Sequence, residues 1–131
     1  MQNILRKIVK SRQGQAAVEF ALVLPIFIIL VFGIMEFSRL WETVSVLTSA
    51  AREGARVAAV TAPDVTAATN AAQNILTAGN ITGATITVAG PNASDEVIVT
   101  VSMTYTPLTG NIVPGVGSMT LTRSTTMHWE G

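Results

Sequence analysis

Gly14-Gln15-Ala16-Ala17-Val18-Glu19-Phe20, with the apolar run that follows it to Met35, is the stretch on which the fold of this chain turns. Four basic residues, Arg6, Lys7, Lys10 and Arg12, precede Gly14 with no acid among them. From Gln15 to Met35 the one ionisable side chain is Glu19. A helix of roughly 21 residues at 1.5 Å per residue spans about 31 Å, the thickness of a bilayer's hydrocarbon core. A cleaved secretory signal does not fit, because its apolar region is shorter and ends at a small-residue cleavage site. A plain anchor explains the length and the basic flank but leaves Glu19 unexplained, and an acid within a membrane helix is a functional candidate by default. Pro25 removes one backbone hydrogen bond and predicts a kink or a local loss of helix near Leu22–Pro25.

The helical pattern continues past the membrane-length run. Gly33, Phe37, Leu40, Val44, Leu47, Ala51, Gly54 and Ala58 recur at alternating spacings of four and three, a heptad-like seam whose membrane half is expected to pack on neighbouring subunits and whose later half on this protein's own head. Its last members are small, which lets another element approach closely. One long helix is therefore expected over 15–62, membrane-embedded to about residue 36. Glu36–Arg39, Arg39–Glu42 and Glu53–Arg56 sit at i,i+3 spacing, as surface ion pairs do.

A second helix is expected over 63–78, with Thr61 as its cap, Pro63 in its first turn and Asp64 at the acid-favouring N3 position. Val65, Ala68, Ala72, Ile75 and Leu76 form its apolar stripe, and Gly79-Asn80 reads as its stop. From there the period changes to two. Strands are expected over 84–89, 96–106 and 118–129, with Val97, Val99, Val101, Met103 and Tyr105 on one face of the second. Met119, Leu121, Met127 and Trp129 share a face of the third, which Arg123 interrupts. The expected fold class is α+β: a long helix carrying a small head of one further helix and a three-stranded antiparallel sheet.

Composition narrows the function classes. Apolar residues make up 49% of the chain and charged residues 12%, a membrane-biased balance. Four of the eight basic residues lie before Gly14, so the part that follows is acidic, which argues against nucleic acid. Basic residues stay on the cytoplasmic side, which predicts an inside amino terminus and an outside head. There is no cysteine, hence no disulfide framework and no thiolate metal site. His128 is the one histidine and falls on the polar register of the last strand. The eight acids are scattered, and no Ser/His/Asp set, phosphate loop or metal spacing is present. Asn80-Ile81-Thr82 and Asn92-Ala93-Ser94 match the glycan-acceptor triplet, a pattern frequent by chance. No catalysis, cofactor or small-molecule substrate is expected.

Gly14, four residues, then Glu19-Phe20 resembles the processing site of type IV pilin-like precursors, in particular the Flp and Tad (tight adherence) group. The segment through Gly33, Glu36-Phe37 and Ala50-Ala51-Arg52-Glu53-Gly54-Ala55-Arg56 is similar to the TadE-like pilus-assembly family, and Arg52, Glu53, Gly54 and Arg56 are its marker. Tyr105-Thr106-Pro107-Leu108 and Met127-His128-Trp129-Glu130 are similar to that family as well. The resemblance implies a pilin-like lollipop fold and a minor pilin or pseudopilin of a Tad-type adhesion pilus. It implies that residues 1–14 are a leader and that a membrane-embedded prepilin peptidase cuts between Gly14 and Gln15. It also implies that Glu19 pairs with the new amino group of an adjacent subunit, next to Phe20, where the family often has tyrosine. The implied partners are membrane lipid, the peptidase and other Tad pilus proteins, at the bacterial inner membrane. An unprocessed membrane-anchored assembly factor and a major pilus subunit stay open. The head of residues 63–131 favours a minor subunit over a major one, because Flp-type major pilins are little more than the helix.

Overall fold

The computed structural model describes residues 2–62, 64–110 and 112–130, with side chains from Gly14 onward. Helix α1 spans Gln2–Thr61, about 90 Å at 1.5 Å per residue. It begins before Gly14, so the basic segment continues the rod. The helix also runs through Pro25 without a break, so the local loss of helix expected there does not occur.

At its far end α1 stops because residue 63 is proline, which has no N–H to donate to the Ala59 carbonyl. That carbonyl accepts from Glu130 N at 3.0 Å instead, while Ala58 O and Thr61 O accept from Ala62 N and Asp64 N. Helix α2 spans Val65–Ala78, and its cap is Asp64, whose Oδ1 accepts from Thr66 N at 2.9 Å and Ala67 N at 3.4 Å. The expected cap, Thr61, is instead the last residue of α1, its hydroxyl donating back to Val57 O at 2.8 Å. Within a helix a threonine hydroxyl finds that carbonyl locally, which leaves the capping role to the carboxylate.

The far end of α2 is a Schellman turn: Ile81 N donates to Leu76 O and Asn80 N to Thr77 O. Asn80 takes the left-handed conformation at φ 54°, while Gly79 stays at φ −83°. Gly79 serves a different need, since a Cβ there would lie 2.5 Å from Val46 Cγ1 on α1.

Strands β1 (Thr85–Ala89), β2 (Glu96–Tyr105) and β3 (Met119–His128) form one antiparallel sheet in the order β1-β2-β3. The register sets Val88 against Val99, Val97 against Met127 and Tyr105 against Met119. One face of the sheet covers α1 and α2. The α+β class expected from the sequence is the one observed.

The core is built mainly of small side chains. Leu47, Ala50, Ala51, Ala55 and Ala58 of α1 pack with Ala68, Ala72 and Leu76 of α2 and with Val97, Val99 and Val101 of β2. Helix α2 and strand β2 converge on Gly54 of α1: a Cβ there would lie 3.0 Å from Val99 Cγ1, 3.2 Å from Ala72 Cβ and 3.4 Å from Ala68 O. Gly54→Val is expected to destabilise the head by about 1–3 kcal/mol through overpacking. Asp64→Ala is expected to cost about 1 kcal/mol through the lost cap. Denaturant unfolding of the full chain in detergent micelles measures both.

Candidate functional site

Two regions of α1 carry the candidate functional residues, the bare segment that follows Gly14 and the junction where the helix meets the head. Gly14 is exposed, and a Cβ added there would meet nothing within 4 Å. A helix-interior glycine costs roughly 1 kcal/mol relative to alanine, and among the described residues no contact requires it. Gln15 Nε2 donates to Glu19 Oε1 at 3.4 Å, so position 15 and the Glu19 carboxylate are neighbours across one helical turn. Glu19 and Phe20 are exposed, as are the apolar side chains along almost all of the run to Met35. This is one helix long and apolar enough to cross a membrane, and the head covers none of its apolar span.

The seam divides along its length. Leu47, Ala51, Gly54 and Ala58 are buried in the head, and Gly33, Leu40 and Val44 are half-buried. Phe37 falls outside the contact and is 65% exposed. In its place Glu36 turns inward. A strict seven-residue repeat drifts about 20° per heptad around a straight helix, so by Phe37 the seam has rotated away from the head. Glu36 lies about five whole turns before Gly54 and so shares its face.

Glu36 is therefore no surface residue; it is 3% exposed. Its carboxylate accepts from the Tyr105 hydroxyl, from Thr109 Oγ1 at 3.2 Å and from Thr109 N at 3.4 Å. Arg39 Nη1 lies 3.4 Å from the same carboxylate, and the Arg39 guanidinium sits 5.9 Å from the centroid of the Tyr105 ring. Among the described residues no ion pair joins Arg39 to Glu42. A carboxylate removed from water is tolerable only when its acceptor sites are answered, and here three elements answer them. The sequence pattern sets Tyr105 on the apolar face of β2 and gives no sign of its contact with Glu36, nor of that of Thr109. The signal in the sequence was helical phase, which sets Glu36 against Gly54 and Leu47.

The marker residues split in the same way. Gly54 is the point of closest approach, whereas Glu53 and Arg56 form a bidentate pair, 2.6 Å and 3.0 Å, directed away from the core. Arg52 is exposed, as is His128. Among the described residues no group of three or more His, Asp or Glu side chains is placed to hold a metal ion.

Burial pushes the Tyr105 phenol up to about 12, and the hydrogen bond to the negative Glu36 carboxylate adds to it. A raised phenol pKa means that the fold favours the neutral form. Its stabilisation is complete below pH about 10 and is lost as pH rises through about 12. Tyr105 is the one tyrosine of the chain, so its ultraviolet titration reads this directly: a midpoint near 12 when folded, falling to about 10 on unfolding. Tyr105→Phe is expected to cost about 1–3 kcal/mol by removing a donor from a buried carboxylate.

No curated protein and no solved structure matches this chain in comparison. A family model, that of TadE-like proteins, matches residues 14–56, from Gly14 through the apolar helix to Arg56. The match takes in 43 of the 131 residues, and over that stretch the chain is similar to TadE-like proteins.

Proposed function

We propose that the protein is a minor pilin or pseudopilin of a Tad-type adhesion pilus, made as a membrane-anchored precursor and cut between Gly14 and Gln15 by a prepilin peptidase. The observation that carries this is the apolar face from Gln15 to Met35, which the head leaves bare and which begins at a glycine that no contact among the described residues requires. Monomers rarely leave so large an apolar surface bare. Lipid covers it before assembly and neighbouring subunits cover it afterwards.

Each residue then has a stated part. Gly14 presents an unobstructed backbone to the peptidase and weakens the helix locally. The basic residues before it hold the site at the cytoplasmic face of the inner membrane and leave the head outside. Cleavage frees an ammonium at Gln15, one turn from Glu19. In lipid a carboxylate needs a counter-charge, and the ammonium of an adjacent subunit supplies it, fixing axial register with Phe20 packed alongside. Gly33, where an added Cβ would likewise meet nothing within 4 Å among the described residues, allows close helix–helix approach in the filament.

The continuity of α1 through residue 14 favours a second reading, an uncleaved anchor whose head binds assembly partners. Mass spectrometry of amino-terminal peptides from native membranes separates the two. Wild type is expected to begin at Gln15, and Gly14→Ala to retain the residues before it at unchanged head stability. Wild-type protein that still carries the basic segment would leave the anchor reading standing. Glu19→Ala is expected to be processed normally yet to be depleted at least tenfold from sheared pili, roughly what losing 1.4 kcal/mol of pairing produces.

A further inference from the structure

We propose that the base of the head is itself a lipid-binding collar, in which Leu108 and Ile112 together with Phe37 and Trp41 enter the headgroup layer of the outer leaflet. This rests on the membrane reading of α1 and adds a second contact with the bilayer. Four exposed apolar side chains share one level of the molecule. The apolar run ends at Met35, and the next residue, Glu36, holds Thr109 through its backbone N–H and its hydroxyl. Leu108 adjoins Thr109, and Ile112 N donates to Thr109 O at 3.0 Å. The Glu36 carboxylate thus fixes both residues at the point where the helix leaves the hydrocarbon.

Their side chains nevertheless turn away from the head. Leu108 is 72% exposed and Ile112 57%, while Pro107, Thr109 and Val113 between and beside them are buried. On α1, Phe37 and Trp41 stack with centroids 6.5 Å apart, and Trp41 is 68% exposed. They lie about 3–9 Å beyond Met35 along the axis, within or just above the interfacial layer of about 5–7 Å that flanks the hydrocarbon core. Aromatic side chains concentrate at that depth.

Charge follows the same polarity. The sequence from Val97 to Thr122 contains no ionisable group except the Tyr105 phenol, which is buried. Asp64, Asp95, Glu96 and Glu130 of the head gather instead at its opposite pole, where Trp129 N meets Asp95 O and Glu130 N meets Ala59 O. Arg39, the cation nearest the collar, is engaged by Glu36, and the exposed Glu42, one residue beyond Trp41, marks the upper edge of the collar. An uncharged apolar rim continuous with a bare membrane helix fits lipid. A water-facing loop has no use for Leu108 and Ile112.

The chain has no cysteine, so single-cysteine spin labelling needs no background substitutions. Leu108→Cys, Ile112→Cys, Phe27→Cys and Ser94→Cys, all at exposed positions, are nitroxide-labelled in the full-length chain. Each is reconstituted at high lipid-to-protein ratio into phosphatidylethanolamine–phosphatidylglycerol vesicles. Relaxation by oxygen is compared with relaxation by a water-soluble nickel chelate. Labels at 27, 108 and 112 are expected to favour oxygen, and the label at 94 to favour nickel. If 108 and 112 behave like 94 while 27 stays in lipid, the collar is overturned and the rim is left as a face for another subunit. If 27 is itself open to nickel, the membrane reading fails and the collar fails with it.

Discussion

The structure depends on one buried carboxylate. Glu36 stands at the end of an apolar helix, where an acid would ordinarily reach for water, and it faces inward because the period of a straight helix puts it in line with Leu47 and Gly54. Once the face of α1 that packs on the sheet is fixed, Glu36 must go with it. Its desolvation is then answered by Tyr105 from the end of β2, by Thr109 from the following segment and by Arg39 from its own helix. Removing any one donor leaves part of the charge unanswered, so the end of β2, the loop beyond it and the rod are held as a unit.

That unit has a matching clasp at the other end. Ala59 O, left without its helical partner by the proline at 63, receives Glu130 N. Between Glu36 and Ala59 the helix advances about 34 Å, and ten residues of β2 extend about 33 Å. The sheet therefore spans the rod segment with little left over at either end. Alanines and Gly54 fill the space between them, which allows a thin head to cover a single helix without bulky side chains.

Much of this was legible in the sequence. The change of period from helical to two near residue 84, the small residues late in α1 and the apolar alternation of β2 all reflect direct packing needs. They gave the fold class and the order of elements. Gly14 and Glu19 stand out in the sequence because glycine and an acid are both out of place in such a helix. What the pattern hid was phase. A heptad template follows Phe37, whereas a straight helix follows Glu36, and the difference accumulates only over three heptads. The contact of Glu36 with Tyr105 joins residues 69 apart, and no local rule signals a partner at that distance. The cap moved from Thr61 to Asp64 for a smaller reason, since the hydroxyl had a nearer carbonyl to use.

The long helix has one more consequence, which is mechanical. The head lies alongside α1, with clasps near both ends of their shared length, and β2 runs along the rod. A pull on the head directed down the helix axis therefore strains these contacts side by side, in shear, so that they resist together. A sideways pull would open them one after another, like a zip. A head mounted this way is strong along the axis of its rod and weak across it.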